Sequence, residues 1–167
     1  MLRRQMIYAI LAGIFSLCVS TQSPLLGEEN TPSVSQETQK NISQAYWHSS
    51  YSEGLKEAQA KGLPIYLSFT APDWCSFCKI MEDKIYSSPD FTNMVNDKFV
   101  FIRLLLPRSG NTPKETQELL ERFHISGIPV AVILSSDGTK EIARFGYTRM
   151  PPKVYAEHIL LSTGTKI

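Results

Sequence analysis

A chain of 167 residues is enough for one compact domain with its own core, plus a tail or two. Its 43% apolar and 20% charged residues are the proportions of an ordinary soluble protein. The net charge of +1 comes with no basic stripe, so nucleic acid is excluded as an expected partner.

The first residues form a separate object. "MLRRQ" is a short basic region, and Met6 to Leu17 is an apolar run of 12 residues. That run falls short of the ~20 residues a membrane-spanning helix needs. With the small-residue exit at Cys18, Val19 and Ser20, residues 1–20 read as a secretory signal peptide cleaved after Ser20, or as an N-terminal anchor if left uncut. Acylation at Cys18 is disfavoured, because Leu17 stands where a small residue is wanted. Removing residues 1–20 takes two of the 17 basic residues and none of the 16 acidic ones, leaving a net charge of −1. Of three cysteines, Cys75 and Cys78 then remain, in an exported and potentially oxidising compartment.

Residues 21–44 are rich in Ser, Thr, Gln, Glu and Pro, too poor in large apolar groups to offset ordering entropy, and read as a flexible linker. From Ala45 the pattern becomes that of a folded domain, residues 45–167. Trp47, Tyr51, Leu55 and Ala58 recur at helical spacing, and Gly62-Leu63-Pro64 stops the helix. "PIYLSFT" (64–70) is a nearly continuous apolar run, as expected of a strand covered on both faces. The cysteine pair opens a helix running to about Tyr86, and Ser88-Pro89 starts a short one through about Asn96. "FVFIRLLL" (99–106) is a second buried strand. Thr112-Pro113-Lys114-Glu115 supplies a capping residue, proline at the first helical position and glutamate at the third. That helix turns Leu119, Leu120 and Phe123 inward and Glu115, Glu118 and Glu121 outward. "PVAVIL" (129–134) is a third strand, Asp137-Gly138 a tight turn into a fourth (140–146), and Pro151-Pro152 begins a closing helix through about Leu161. Strands separated by helices imply parallel crossovers, and the last hairpin adds an antiparallel edge: an α/β fold with a central mixed sheet and helices on both faces.

Chemistry concentrates in "APDWCSFCKIME" (71–82). A structural zinc site needs four ligands, and His48, His124 and His158 are scattered, with no pair at ligand spacing. A disulfide between residues three apart closes almost no loop, so stability gives little reason for one. Redox exchange does explain the spacing. A cysteine at the end of a strand and start of a helix meets the helix dipole and the free N–H groups of the first turn, which favour thiolate over thiol. Cys75 is then the exposed nucleophile, and Cys78, one turn on and more buried, resolves the mixed disulfide.

"DWCSFCK" after an apolar strand, followed later by "GIPV" (127–130), resembles the thioredoxin superfamily from about Ala45 to Leu161. The form "SFTAPDWCSFCKIME" is most similar to exported members of the DsbH-like and DsbD thioredoxin-domain-like groups. The resemblance implies a thioredoxin-like fold with a redox-active disulfide between Cys75 and Cys78 in place of any other cofactor. It also implies a cis peptide bond before Pro129, an Ile128 backbone offered to substrate, a Trp74 beside the sulfur, Ser76 and Phe77 at the substrate surface, and Gly146 beside the groove.

This chain departs from thioredoxin in three places. Between the cysteines stand Ser76 and Phe77, neither basic, whereas strong oxidants of the superfamily carry a histidine there. A modest lowering of the Cys75 thiol is expected, and a potential nearer to about −270 mV than to about −120 mV. The buried aspartate beneath thioredoxin's pair is missing from Ser68-Phe69-Thr70, with Pro72 resembling a one-residue insertion. Glu82 is a candidate substitute, sharing a helical face with Cys75 and Lys79, although a solvated face for Lys79 and Glu82 is the favoured reading. Extra residues fall at 86–96 and 107–112. The expectation is a periplasmic or membrane-tethered disulfide reductase, monomeric, drawing electrons from a DsbD-type membrane donor and acting on envelope proteins. An oxidase, a cytochrome c maturation reductase and a non-catalytic binding or chaperone module are the alternatives.

Overall fold

The computed structural model describes residues 45–165. The expected signal peptide (1–20) and linker (21–44) lie outside the described residues. Five strands form one sheet: β1 (Trp47–His48), β2 (Ile65–Thr70), β3 (Val100–Leu105), β4 (Val130–Leu134) and β5 (Glu141–Gly146). Their order is β1-β3-β2-β4-β5. The helices are α1 (Tyr51–Lys61), α2 (Ser76–Met81), α3 (Pro89–Val95), α4 (Lys114–Arg122) and α5 (Pro152–Ser162), and a π-helical turn, Glu82–Tyr86, continues α2.

All six residues of β2 are buried, because β2 lies at the sheet centre with helices above and below. Alternation then divides its side chains. Ile65, Leu67 and Phe69 join Val100, Ile102, Leu104, Val132 and Leu134 against α1 and α4. Tyr66 joins Phe101, Ala131 and Ile133 against α3, α5 and the π turn. A period of two on a doubly covered strand thus feeds two separate cores.

Three expectations are corrected. Trp47 and His48 are not helical: they pair in parallel with Phe101 and Ile102 of β3, and Ser50 caps a helix that begins only at Tyr51. Trp47 and Tyr51 happen to lie four apart, which imitates a helical stripe. Secondly, α4 begins at Lys114 with Pro113 at its cap position and no side-chain cap. Glu115 does not point freely outward. Its carboxylate accepts from the Tyr51 and Ser52 N–H groups at 3.2 and 2.9 Å, so it caps α1 from a distant part of the chain. Thirdly, β2 and β3 run parallel, but β4 runs antiparallel to β2, so the segment through α4 is not a parallel crossover.

Two glycines have steric reasons. A Cβ on Gly54 would run into Cγ1 and Cδ1 of Ile102, so its absence lets α1 lie close on β3. Gly138, at φ +70°, turns β4 towards β5 with Asp137 accepting from the Thr139 N–H at 3.0 Å.

Candidate active site

The cysteines stand where β2 gives way to α2. Cys75 is extended (φ −104°, ψ 105°) at the cap position, and its sulfur accepts from the Cys78 N–H at 3.2 Å. Cys75 N–H donates to Ala71 O at 2.8 Å and Lys79 N–H to Cys75 O at 3.0 Å, which pins the strand-to-helix corner from both sides. The two sulfurs are joined in a disulfide with Cα atoms 5.2 Å apart. Its ends differ: Cys75 is half-buried, while Cys78 is 0% exposed. A partner sulfur can approach only the first. An N–H aimed at that sulfur favours its anion once the disulfide opens.

Facing the pair is the Ile128–Pro129 peptide, which is cis. Ile128 O lies 3.9 Å from Cys75 Sγ. Pro129 is buried, and the next residue, Val130, pairs with Gly146. A Cβ at Gly146 would meet only Pro129 O, at 4.0 Å, so the position borders the proline loop without crowding it.

The walls beside the sulfur are aromatic. Trp74 is 38% exposed and its Nε1–H donates to Leu106 O at 2.9 Å, which fixes the indole against the end of β3. Phe77 is 52% exposed, and its ring lies 4.6 Å from that of Tyr147. Ser76 is exposed between the cysteines. Tyr147 was not among the residues singled out from the sequence. Its one legible sign was its place immediately after Gly146.

Lys79 and Glu82 part company here. Lys79 is exposed and pairs with Asp83 at 3.1 Å. Glu82 turns inward to Arg103, so a solvated face holds for the lysine alone. Burial raises the Glu82 carboxyl above its ordinary range, with the Arg103 charge opposing it. Arg103 comes from β3, pairs in register with Ser68, and stacks over the Trp47 ring at 4.1 Å. An ion pair therefore occupies the sheet face beneath the cysteine helix, next to the position where thioredoxin's aspartate was missed.

With this geometry in place, the chain can be set beside known proteins. It is 31% identical over 102 residues to the disulfide bond reductase DsbH of Chlamydia pneumoniae, an alignment covering 59% of this chain and 61% of that protein. It is 28% identical over 102 residues to the thiol:disulfide interchange protein DsbD of Klebsiella pneumoniae, covering 61% of this chain and 16% of that protein. The chain thus spans less than two thirds of either relative. A solved structure of a DsbH oxidoreductase superposes with a TM-score of 0.70 at 26% identity, covering 84% of this chain and 96% of that one. A thioredoxin from Thermus thermophilus, at 24% identity and a TM-score of 0.60, shares the fold. The thioredoxin-like domain model matches residues 51–160, from the first residue of α1 into the last turn of α5. On that match, and on the sheet order and helix placement above, the chain belongs to the thioredoxin-like domain family.

Proposed function

We propose that this chain is an exported thiol–disulfide oxidoreductase working mainly as a protein disulfide reductase, with the Cys75–Cys78 disulfide in place of any other cofactor. The observation that carries the reading is the asymmetry of the pair: one accessible sulfur with an N–H aimed at it, and one buried sulfur bonded to it. The names of the DsbH and DsbD relatives support the same reaction class.

In the dithiol form, the Cys75 thiolate attacks one sulfur of a substrate cystine. That S–S bond breaks, and the departing substrate sulfur keeps the electron pair and takes a proton. The Cys78 thiolate then attacks Cys75 Sγ, closes the intramolecular disulfide and expels the second substrate thiol, which is protonated in turn. Two electrons and two protons have passed to the substrate. A membrane dithiol donor of the DsbD type restores the pair by the same exchange in reverse. Trp74, Ser76, Phe77, Ile128 and Pro129 line the approach, with the cis peptide presenting the Ile128 backbone to the incoming chain. Substrates are disulfide-bonded envelope proteins, met by a monomer in the periplasm or tethered at the membrane.

Reduction of insulin disulfides tests the reading. Cys75→Ser should abolish turnover, and turnover at the wild-type rate would refute Cys75 as the nucleophile. Cys78→Ser should accumulate covalent mixed disulfides on Cys75 and so identify the substrates. Equilibration with a glutathione buffer should give a potential closer to about −270 mV than to about −120 mV, whereas a value above about −150 mV would point to an oxidase.

A further inference from the structure

The Phe77–Tyr147 contact closes a circuit of neighbours around the reactive sulfur. Cys75 Sγ lies 3.9 Å from Ile128 O. Through Pro129 the chain reaches Val130, which pairs with Gly146. Tyr147 follows Gly146, and its ring lies 4.6 Å from Phe77, inclined at 44°. Phe77 stands two residues from Cys75, where the circuit began.

The core leaves Phe77 unexplained and accounts for Tyr147 only in part. Phe77 is 52% exposed, and Tyr147 packs against the edge of the aromatic core while remaining partly open. Tyr147 also forms one wall of a cavity of about 210 Å³, whose lining includes Arg144, Phe145, Thr148, Met150, Tyr155 and His158. Thr148 Oγ1 accepts from the Met150 N–H at 3.0 Å, which holds the loop forming its rim. Met150 and Val154 are exposed nearby. Large apolar groups left open around a reaction centre mark a surface that meets another chain. Aromatic groups in particular anchor such contacts, since each covers much area with few torsions to freeze. Trp74, by contrast, is held to Leu106 O and forms a fixed wall.

We infer that Phe77 and Tyr147 form an aromatic lip, with the cavity beside Tyr147, that selects polypeptide substrates carrying a large apolar or aromatic side chain within a residue or two of the reacting cystine. The inference rests on the reductase reading and deepens it. The substrate backbone lies along Ile128–Pro129, its sulfur reaches Cys75, and the neighbouring side chain stacks on the lip or enters the recess. A small disulfide brings nothing to place there.

The test uses two cystine peptides of equal length, one with phenylalanine beside each cysteine and one with serine. Wild-type protein should reduce the phenylalanine peptide with a kcat/KM about tenfold higher, equivalent to about 1.4 kcal/mol. Tyr147→Ala and Phe77→Ala should each bring that ratio close to one. The double variant should bring it no lower, because the two rings act as one surface. Tyr147→Phe, which keeps the ring, should keep the ratio and shows that any loss does not come from misfolding. A wild-type ratio near one, or a tenfold ratio surviving in Tyr147→Ala, overturns the lip while leaving the reductase reading intact. Turnover of neither peptide by wild-type protein overturns both.

Discussion

The two faces of the sheet are built from different chemistry. The face under α1 and α4 is closed mainly by aliphatic groups: Ile65, Leu67, Ile102, Leu104, Val132 and Leu134, with Phe69 and Phe123 among them. The face under α2, α3 and α5 carries Tyr66, Tyr86, Phe91, Phe101 and Tyr155. There the Tyr66 hydroxyl bonds those of Tyr86 and Tyr155 at 3.0 and 2.8 Å. Burial lifts all three phenols above their ordinary range, which keeps them neutral donors. The Glu82–Arg103 pair lies on the same face. Aliphatic packing stabilises without choosing among neighbouring arrangements, whereas hydrogen-bonded groups accept few geometries. The bonds between core hydroxyls and the Glu82–Arg103 pair thus lie on the side that seats the cysteine helix, where placement of a sulfur matters most.

The sharpest way to break this contrast is to open each face in turn. Leu67→Ala leaves a cavity in the aliphatic core and should cost about 2–5 kcal/mol in urea unfolding. Surrounding methyl groups can relax into it, so the exchange rate at Cys75 should change little in the fraction that stays folded. A slowed exchange there would show that the two faces are mechanically coupled. Arg103→Met strands the Glu82 carboxylate against the core and should cost about 2 kcal/mol, since both side chains keep some contact with water. Pairing it with Glu82→Leu should recover most of that loss. A double variant no more stable than Arg103→Met alone would mean that the pair contributes through the Trp47 stack and not through its charges.

How far such features can be read from a sequence depends on how local their causes are. The cysteine pair was legible because its chemistry is written in four consecutive residues. The inner strands were legible because burial on both faces leaves a nearly continuous apolar run, as at 65–70. Two-residue β1 was hidden, since Trp47 and His48 owe their extended form to Phe101 and Ile102, more than fifty residues on. Glu115 likewise looked like an outward helix residue because its partners, the Tyr51 and Ser52 N–H groups, belong to another element. β4 runs antiparallel along the edge of β2 that β3 leaves open, an arrangement that no local pattern encodes. For Glu82 the local pattern favoured a solvated face, and only Arg103 across the sheet shows that it turns inward. The same holds for Tyr147, whose importance comes from touching Phe77.

A smaller effect probes the hydroxyl network alone. Tyr66→Phe removes one oxygen and leaves the Tyr86 and Tyr155 hydroxyls short of a partner, at a cost of about 1–2 kcal/mol. The ring still fills its space. If the network positions the helices of that face, hydrogen exchange should quicken at the amides of α5 and the π turn before it does in α1. Equal quickening on both faces would show that the hydroxyls add stability without directing placement.

The smallest effect belongs to the turn that joins the two edge strands. Asp137 accepts from the Ser135 and Thr139 hydroxyls and the Thr139 N–H, and these bonds lower its carboxyl from 3.8 to about 2. A folded-state value below the unfolded one means that the unfolded chain holds more protons between the two. Stability then rises with pH across that window. The contribution is therefore complete above about pH 4 and is lost as the pH falls towards 2. Asp137→Asn should be slightly less stable than wild type at neutral pH, and the difference should shrink to nothing as acid protonates the native carboxyl. Because the Asp137 carboxylate is itself exposed, the shift should be small, even though Gly138 beside it is buried against Tyr51 and Leu55. An undiminished difference at pH 2 would mean that the turn geometry at Gly138, and not the charge at Asp137, holds β5 against β4.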